Sequence, residues 1–65
     1  MFQKGEVVIK INNGGSRGLV MEIGQVAVVE RHNFDEVKIR FRNHIYYLDS
    51  YKLERFSVER MKELV

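Results

Sequence analysis

Three cations alternate with three apolar residues over positions 37–42: Val37, Lys38, Ile39, Arg40, Phe41 and Arg42, with no acid between them. Successive side chains of a β-strand point to opposite faces. The pattern therefore predicts one buried apolar face, with Lys38, Arg40 and Arg42 spaced about 6–7 Å apart on the other. That separation is similar to successive phosphates of a single nucleic-acid strand. Tyr46, Tyr47 and Tyr51 follow closely, and rings beside cations suit stacking on unpaired bases. Tyr46 is expected in the core if Leu48 faces inward, which leaves Tyr47 as the best exposed ring. Arg17 from a Gly-rich loop and Lys52 or Arg55 near the last strand are expected to extend the basic surface. The same cations would equally serve as the water-facing side of an ordinary half-buried strand, where they discourage edge pairing.

Other chemistries find fewer residues. There is no Cys, and the two histidines, His32 and His44, fall in expected turns without a nucleophile and an acid beside them. Asp35 and Glu36 are consecutive, so on a strand they point to opposite faces, which is wrong for a carboxylate pair sharing one bond. His32 with Asp35 supplies too few ligands for a metal. No catalytic residue, metal or cofactor is expected, and the chain is read as a binding module and not an enzyme. The glycine-rich run at 12–18 lacks the Lys-Ser/Thr ending of a nucleotide-binding loop.

Sixty-five residues make one domain, and a domain of this size buries only about 60% of its unfolded surface, so the core is shallow. Eleven Lys and Arg face nine acids, a net charge of +2, so distribution matters more than total. The absence of Cys fits a reducing, cytoplasmic setting, and neither a signal peptide nor a membrane span is read from the chain.

The elements that must position these residues follow in order. Residues 7–11 are β-branched-rich and predict a first strand; strict alternation turns Val7, Ile9 and Ile11 inward and Val8 and Lys10 outward, although a one-residue shift would reverse this. A loop at 12–18, a second strand at 19–23, a break at Gly24-Gln25 and a strand at 26–30 come next. Residues 31–36 are expected to form a turn, with Phe34 folding back to cap the open end of the structure; exposed instead, its ring would be a contact site. Asn43-His44 should be a tight hairpin turn, since Asn tolerates positive φ. A return strand at 45–48, a 3₁₀ turn at 49–52 and a short strand at 53–56 complete a small five- to six-stranded antiparallel barrel. Ser57 offers an N-cap for a short C-terminal helix over 57–65, with Glu59 and Lys62 placed well for the helix dipole.

Gly5-Glu6-Val7-Val8, Gly14-Gly15, Gly18 and Val20 resemble the Gly-acid-x-Val, glycine turn and Gly-x-Val pattern of SH3-like barrels of the KOW and Tudor-like kind. The opening is also similar to that of a group of small bacterial and phage proteins of unknown function. The segment at 46–56, with Leu48 and Leu53 flanking the 3₁₀ turn, looks like the last two strands of such barrels. The resemblance covers roughly residues 2–56. It implies an all-β SH3-like barrel at 1–56 that binds DNA or RNA through the phosphate backbone, or docks on transcription or translation machinery of a host. In the second case Phe34, Tyr47, Tyr51 and Met61, the last with Val58 and Val65 on one helix face, would carry the contacts. A monomer or weak homodimer, with no membrane partner, is expected.

Overall fold

The computed structural model describes residues 1–14 and 20–65. Five strands, β1 (Val7–Lys10), β2 (Val26–Asn33), β3 (Glu36–Phe41), β4 (His44–Asp49) and β5 (Leu53–Arg55), form one sheet in the order β4-β3-β2-β1-β5. Every neighbouring pair is antiparallel. A 3₁₀ turn (Ser50–Lys52) joins β4 to β5, and helix α1 (Val58–Leu64) ends the chain.

The sheet bends through β2. The first half of this strand pairs with β1 and the second with β3, and Val28 lies opposite both Val7 and Arg40. The register shifts between Val29 and Arg31, leaving Glu30 as an extra residue, and such a bulge bends its strand and increases the local twist. Apolar side chains from all five strands can then meet: Val8, Ala27, Val29, Val37, Ile39, Leu48 and Leu53 form one buried cluster with Met21. Phe2, Val20, Phe41 and Tyr46 pack against it. Val37 and Ile39 are fully buried, and burial of such side chains stabilises the fold by about 1.5–3 kcal/mol each.

The expectation of a barrel holds only as a curved antiparallel sheet. Among the described residues β4 and β5 are edges that do not pair with one another, so the sheet is not closed. Among the described residues five strands are present, because residues 20–23, expected to belong to a strand, form bends and a turn instead. Glu22 accepts from the Gln25 N–H at 3.1 Å, and the Gly24 N–H donates to the Lys10 carbonyl at 2.9 Å. Gly24 has φ +95°, a conformation open to glycine without strain.

The inward register of β1 is also corrected. Val8 and Lys10 face the core side, whereas Val7 is exposed. Ile9 is nevertheless fully buried on the opposite face, apart from the core cluster. Arg60 of the helix donates to Glu54 at 2.8 Å, and Glu54 is the cross-strand neighbour of Ile9. Alternation fails as a guide here because both faces of β1 are covered. The helix itself starts as its sequence predicts, with the Ser57 hydroxyl accepting from the Arg60 N–H at 3.1 Å.

Two hairpin turns differ from expectation. The β3–β4 turn is Arg42-Asn43, with φ of 50° and 66°, and Phe41 pairs with His44; two positive φ values are what a tight right-twisted hairpin requires. The β2–β3 turn is Phe34-Asp35, so Arg31 and His32 belong to β2. Phe34 does not cap the core: it is 85% exposed at the turn. Its carbonyl is held by His32 Nε2 at 2.5 Å, while His32 Nδ1 accepts from the Phe2 N–H at 2.8 Å and the ring stacks on Phe2. The end of the sheet that Phe34 was expected to close is instead covered by Phe2.

Candidate functional site

The convex face of β2, β3 and β4 gathers most of the residues singled out from the sequence. Val37 and Ile39 point into the core, so Lys38 and Arg40 point away from it. Directly across from Lys38 stand Arg31 on β2 and Tyr47 on β4. The next row is Val28, Arg40 and Ile45. Directly opposed residues share a face with Cβ atoms about 4.5–5.5 Å apart, so Arg31, Lys38 and Tyr47 form one polar-aromatic row beside a row of apolar character. Tyr47 is 55% exposed, whereas Tyr46 packs against the core as its alternation predicts.

The cations of this face are not equivalent. Arg40 Nε donates to Glu30 Oε2 at 3.0 Å, an ion pair made possible by the bulge. Among the described residues, Arg31 and Lys38 have no carboxylate within salt-bridge range. Arg42 has left the strand: it occupies the turn, its guanidinium 5.0 Å from the centroid of the Phe41 ring. It therefore marks the tip of the face and not a third regular step along β3.

Lys52 is placed elsewhere. It is 5% exposed, with its ammonium 3.6 Å from Asp49. Its neighbour Lys10 is fully buried and donates to the Met21 carbonyl at 2.7 Å. Burial, and then the charge of Lys52, push the Lys10 pKa below the ordinary value of 10.5. Arg55, at the opposite edge, pairs with Glu6 at 2.7 Å and lies over Phe2. The Gln3 N–H, and then Arg55, hold the Glu6 carboxyl below its usual value. Lys10, Lys52 and Arg55 are thus each held by partners within the fold; Arg17 lies outside the described residues.

The residues considered for protein contacts are dispersed. The Ser50 N–H donates to the Asp35 carbonyl at 2.6 Å, which brings the 3₁₀ turn beside the Phe34 turn. Tyr51 is exposed there and its hydroxyl donates to the Gly14 carbonyl at 2.8 Å. Met61, with Val58 and Val65, is exposed on α1. Arg31 is the one member of the basic row absent from the sequence reading. Its signal was the length of β2: extending the strand through Asn33 leaves only Phe34-Asp35 for a two-residue turn and brings Arg31 opposite Lys38. Comparison with protein-family models, curated proteins and solved structures gives no match for this chain.

Proposed function

We propose that this chain is a small non-enzymatic module of SH3-like type that binds single-stranded DNA or RNA on the convex face of β2–β4. Arg31 and Lys38 contact phosphates, Tyr47 stacks on a base, and Arg40 and Arg42 extend the track toward the hairpin tip. The observation that carries the reading is the single cross-strand row of Arg31, Lys38 and Tyr47, two cations without a carboxylate partner among the described residues and an exposed ring. An aromatic ring offers every base a π-face, and adjacent cations meet the backbone, so the row favours unpaired strands with modest sequence preference. The SH3-like assignment is supported by the position of β1 between β2 and β5 and by the 3₁₀ turn between β4 and β5.

A titration of labelled protein with a short single-stranded oligonucleotide and with a duplex, each at low and moderate salt, tests this. Salt-sensitive NMR shifts at Arg31, Lys38 and Tyr47 are expected with the single strand. The double variant Arg31→Glu with Lys38→Glu should stay folded, since both side chains face water, and should lose binding. Equal binding by that variant overturns the assignment. Exposure of Phe34 and Tyr51 on adjoining turns favours a second reading, an adaptor that docks on a protein. Such docking responds little to salt, whereas phosphate binding weakens steeply.

A further inference from the structure

The face described above ends at an edge with unusual composition. β4, with the sequence HIYYLD, carries no Lys, Arg or Pro, and its first charge is Asp49 at the end; its paired register with β3 is unbroken from Phe41↔His44 to Glu36↔Asp49. Natural edge strands are ordinarily blunted by Lys, Pro, bulges or shortness, and β4 has none of these. The tight turn makes Phe41 and His44 a hydrogen-bonded pair. In an antiparallel ladder bonded and non-bonded pairs alternate, so Tyr46 and Leu48 bond to β3 while Ile45 and Tyr47 turn their N–H and C=O groups outward. No main-chain partner for Ile45 or Tyr47 occurs on that side among the described residues. The side chains of the same two residues are exposed on the convex face.

We infer that β4 pairs with β4 of a second copy of this chain, antiparallel about a two-fold axis at Tyr46. Antiparallel self-pairing has few symmetric registers. With Ile45 opposite Tyr47 of the second copy, both outward-facing residues of each strand donate and accept, and each exposed aliphatic side chain covers an exposed ring. The ends are complementary as well. Asn43 comes opposite Asp49 of the second copy, so the cationic turn carrying Arg42 meets an exposed acid at both ends. Shifting the axis to Tyr47 places Asp49 beside Ile45, and shifting it to Ile45 faces Tyr47 with the turn residue Asn43; either loses the apolar-aromatic pairing. The preferred register joins two five-stranded sheets into one continuous sheet and sets both Arg31–Lys38–Tyr47 rows on its same face. The pairing stands independently of what that face binds.

The test is sedimentation velocity from about 10 μM to about 1 mM, a range suited to the small area that edge pairing buries, with amide hydrogen exchange at both extremes. A reversible dimer is expected, with concentration-dependent protection at the Ile45 and Tyr47 amides and none added at Tyr46 or Leu48. Ile45→Lys places a charge at the edge without disturbing the core and should raise the dissociation constant at least about tenfold. In a chain with no other Cys, Tyr46→Cys should cross-link on oxidation, because a non-bonded antiparallel pair brings Cα atoms to about 4.5 Å, within disulfide range. A wild-type monomer throughout the range overturns the inference. So does a dimer that Ile45→Lys leaves intact, which would place the contact elsewhere, such as the α1 stripe.

Discussion

Glu30→Gln should strengthen nucleic-acid binding, because Glu30 neutralises one of the cations on the binding face. Its carboxylate accepts from Arg40 at 3.0 Å, so a phosphate approaching Arg40 competes with a charge already in place. Arg31 and Lys38 lack such partners among the described residues, and two phosphate contacts to a single strand give a log-log salt slope of about −1.4. Releasing Arg40 adds about −0.7, whatever Arg42 contributes at the tip. Between 50 and 200 mM salt the two-contact case loses about 7-fold in affinity and the three-contact case about 18-fold. The variant should therefore bind more tightly at the lower salt and converge on the parent as salt rises. Stability should hold, since a partly exposed pair of this kind contributes about 0–1 kcal/mol. Fluorescence anisotropy with a labelled single-stranded oligonucleotide over a salt series measures both slopes, and urea denaturation checks the fold. Parallel slopes, or weaker binding by Glu30→Gln at every salt concentration, would refute the assignment of Arg40 to the phosphate track.

Three further perturbations follow from the geometry. Tyr47→Ala should weaken single-strand binding by about 1–3 kcal/mol, the usual range for loss of a stacked base, and leave the urea midpoint nearly unchanged; an unaltered affinity would remove the ring from the site. The depressed pKa of Lys10 means that, between its folded value and the ordinary 10.5, the unfolded chain binds more protons than the folded one. Stability should then rise with pH through that window, as followed by urea midpoints, and Lys10→Met should abolish the rise; the same rise in both proteins would contradict the burial of the ammonium. Gly24→Ala meets both a φ of +95° and a contact of 3.0 Å from its new Cβ to Val65 Cγ2. It should cost about 1–3 kcal/mol, and so should Gly5→Ala at φ +90°, because the Val65 side chain is 86% exposed and can turn aside; an unchanged midpoint in either variant would contradict the positive φ at that glycine.

The sequence was most legible where one physical rule acted alone. Alternation of apolar and cationic residues placed Val37 and Ile39 in the core and Lys38 and Arg40 outside, because β3 is covered on one face only. Ser57 was recognisable as an N-cap because its hydroxyl acts locally. Alternation failed on β1, where successive residues on both faces, Val8, Ile9 and Lys10, are all buried. Arg42 was misplaced by a one-residue displacement of the hairpin turn, since Asn43 can occupy either central position and neither Arg42 nor His44 is a Gly that would decide it. The long-range events, the Glu30 bulge and the pairing of Arg31 with Lys38, depend on how β2 divides its pairing between β1 and β3. No short window of sequence encodes that division.

The burial of Lys10 also makes it a built-in reporter. An amine-directed acylating reagent meets the ammoniums of Lys38 and Lys62 at the surface, but at Lys10 it meets a fully enclosed group whose hydrogen goes to the Met21 carbonyl. Labelling at Lys10 therefore requires β1 or the Met21 segment that holds the ammonium to open, and its rate counts those local openings. A ligand on the convex face or a second copy along β4 that steadies the sheet would slow this reaction at a site neither of them touches. Mass spectrometry of a single lysine could thus rank candidate partners by the cooperativity they impose on the fold.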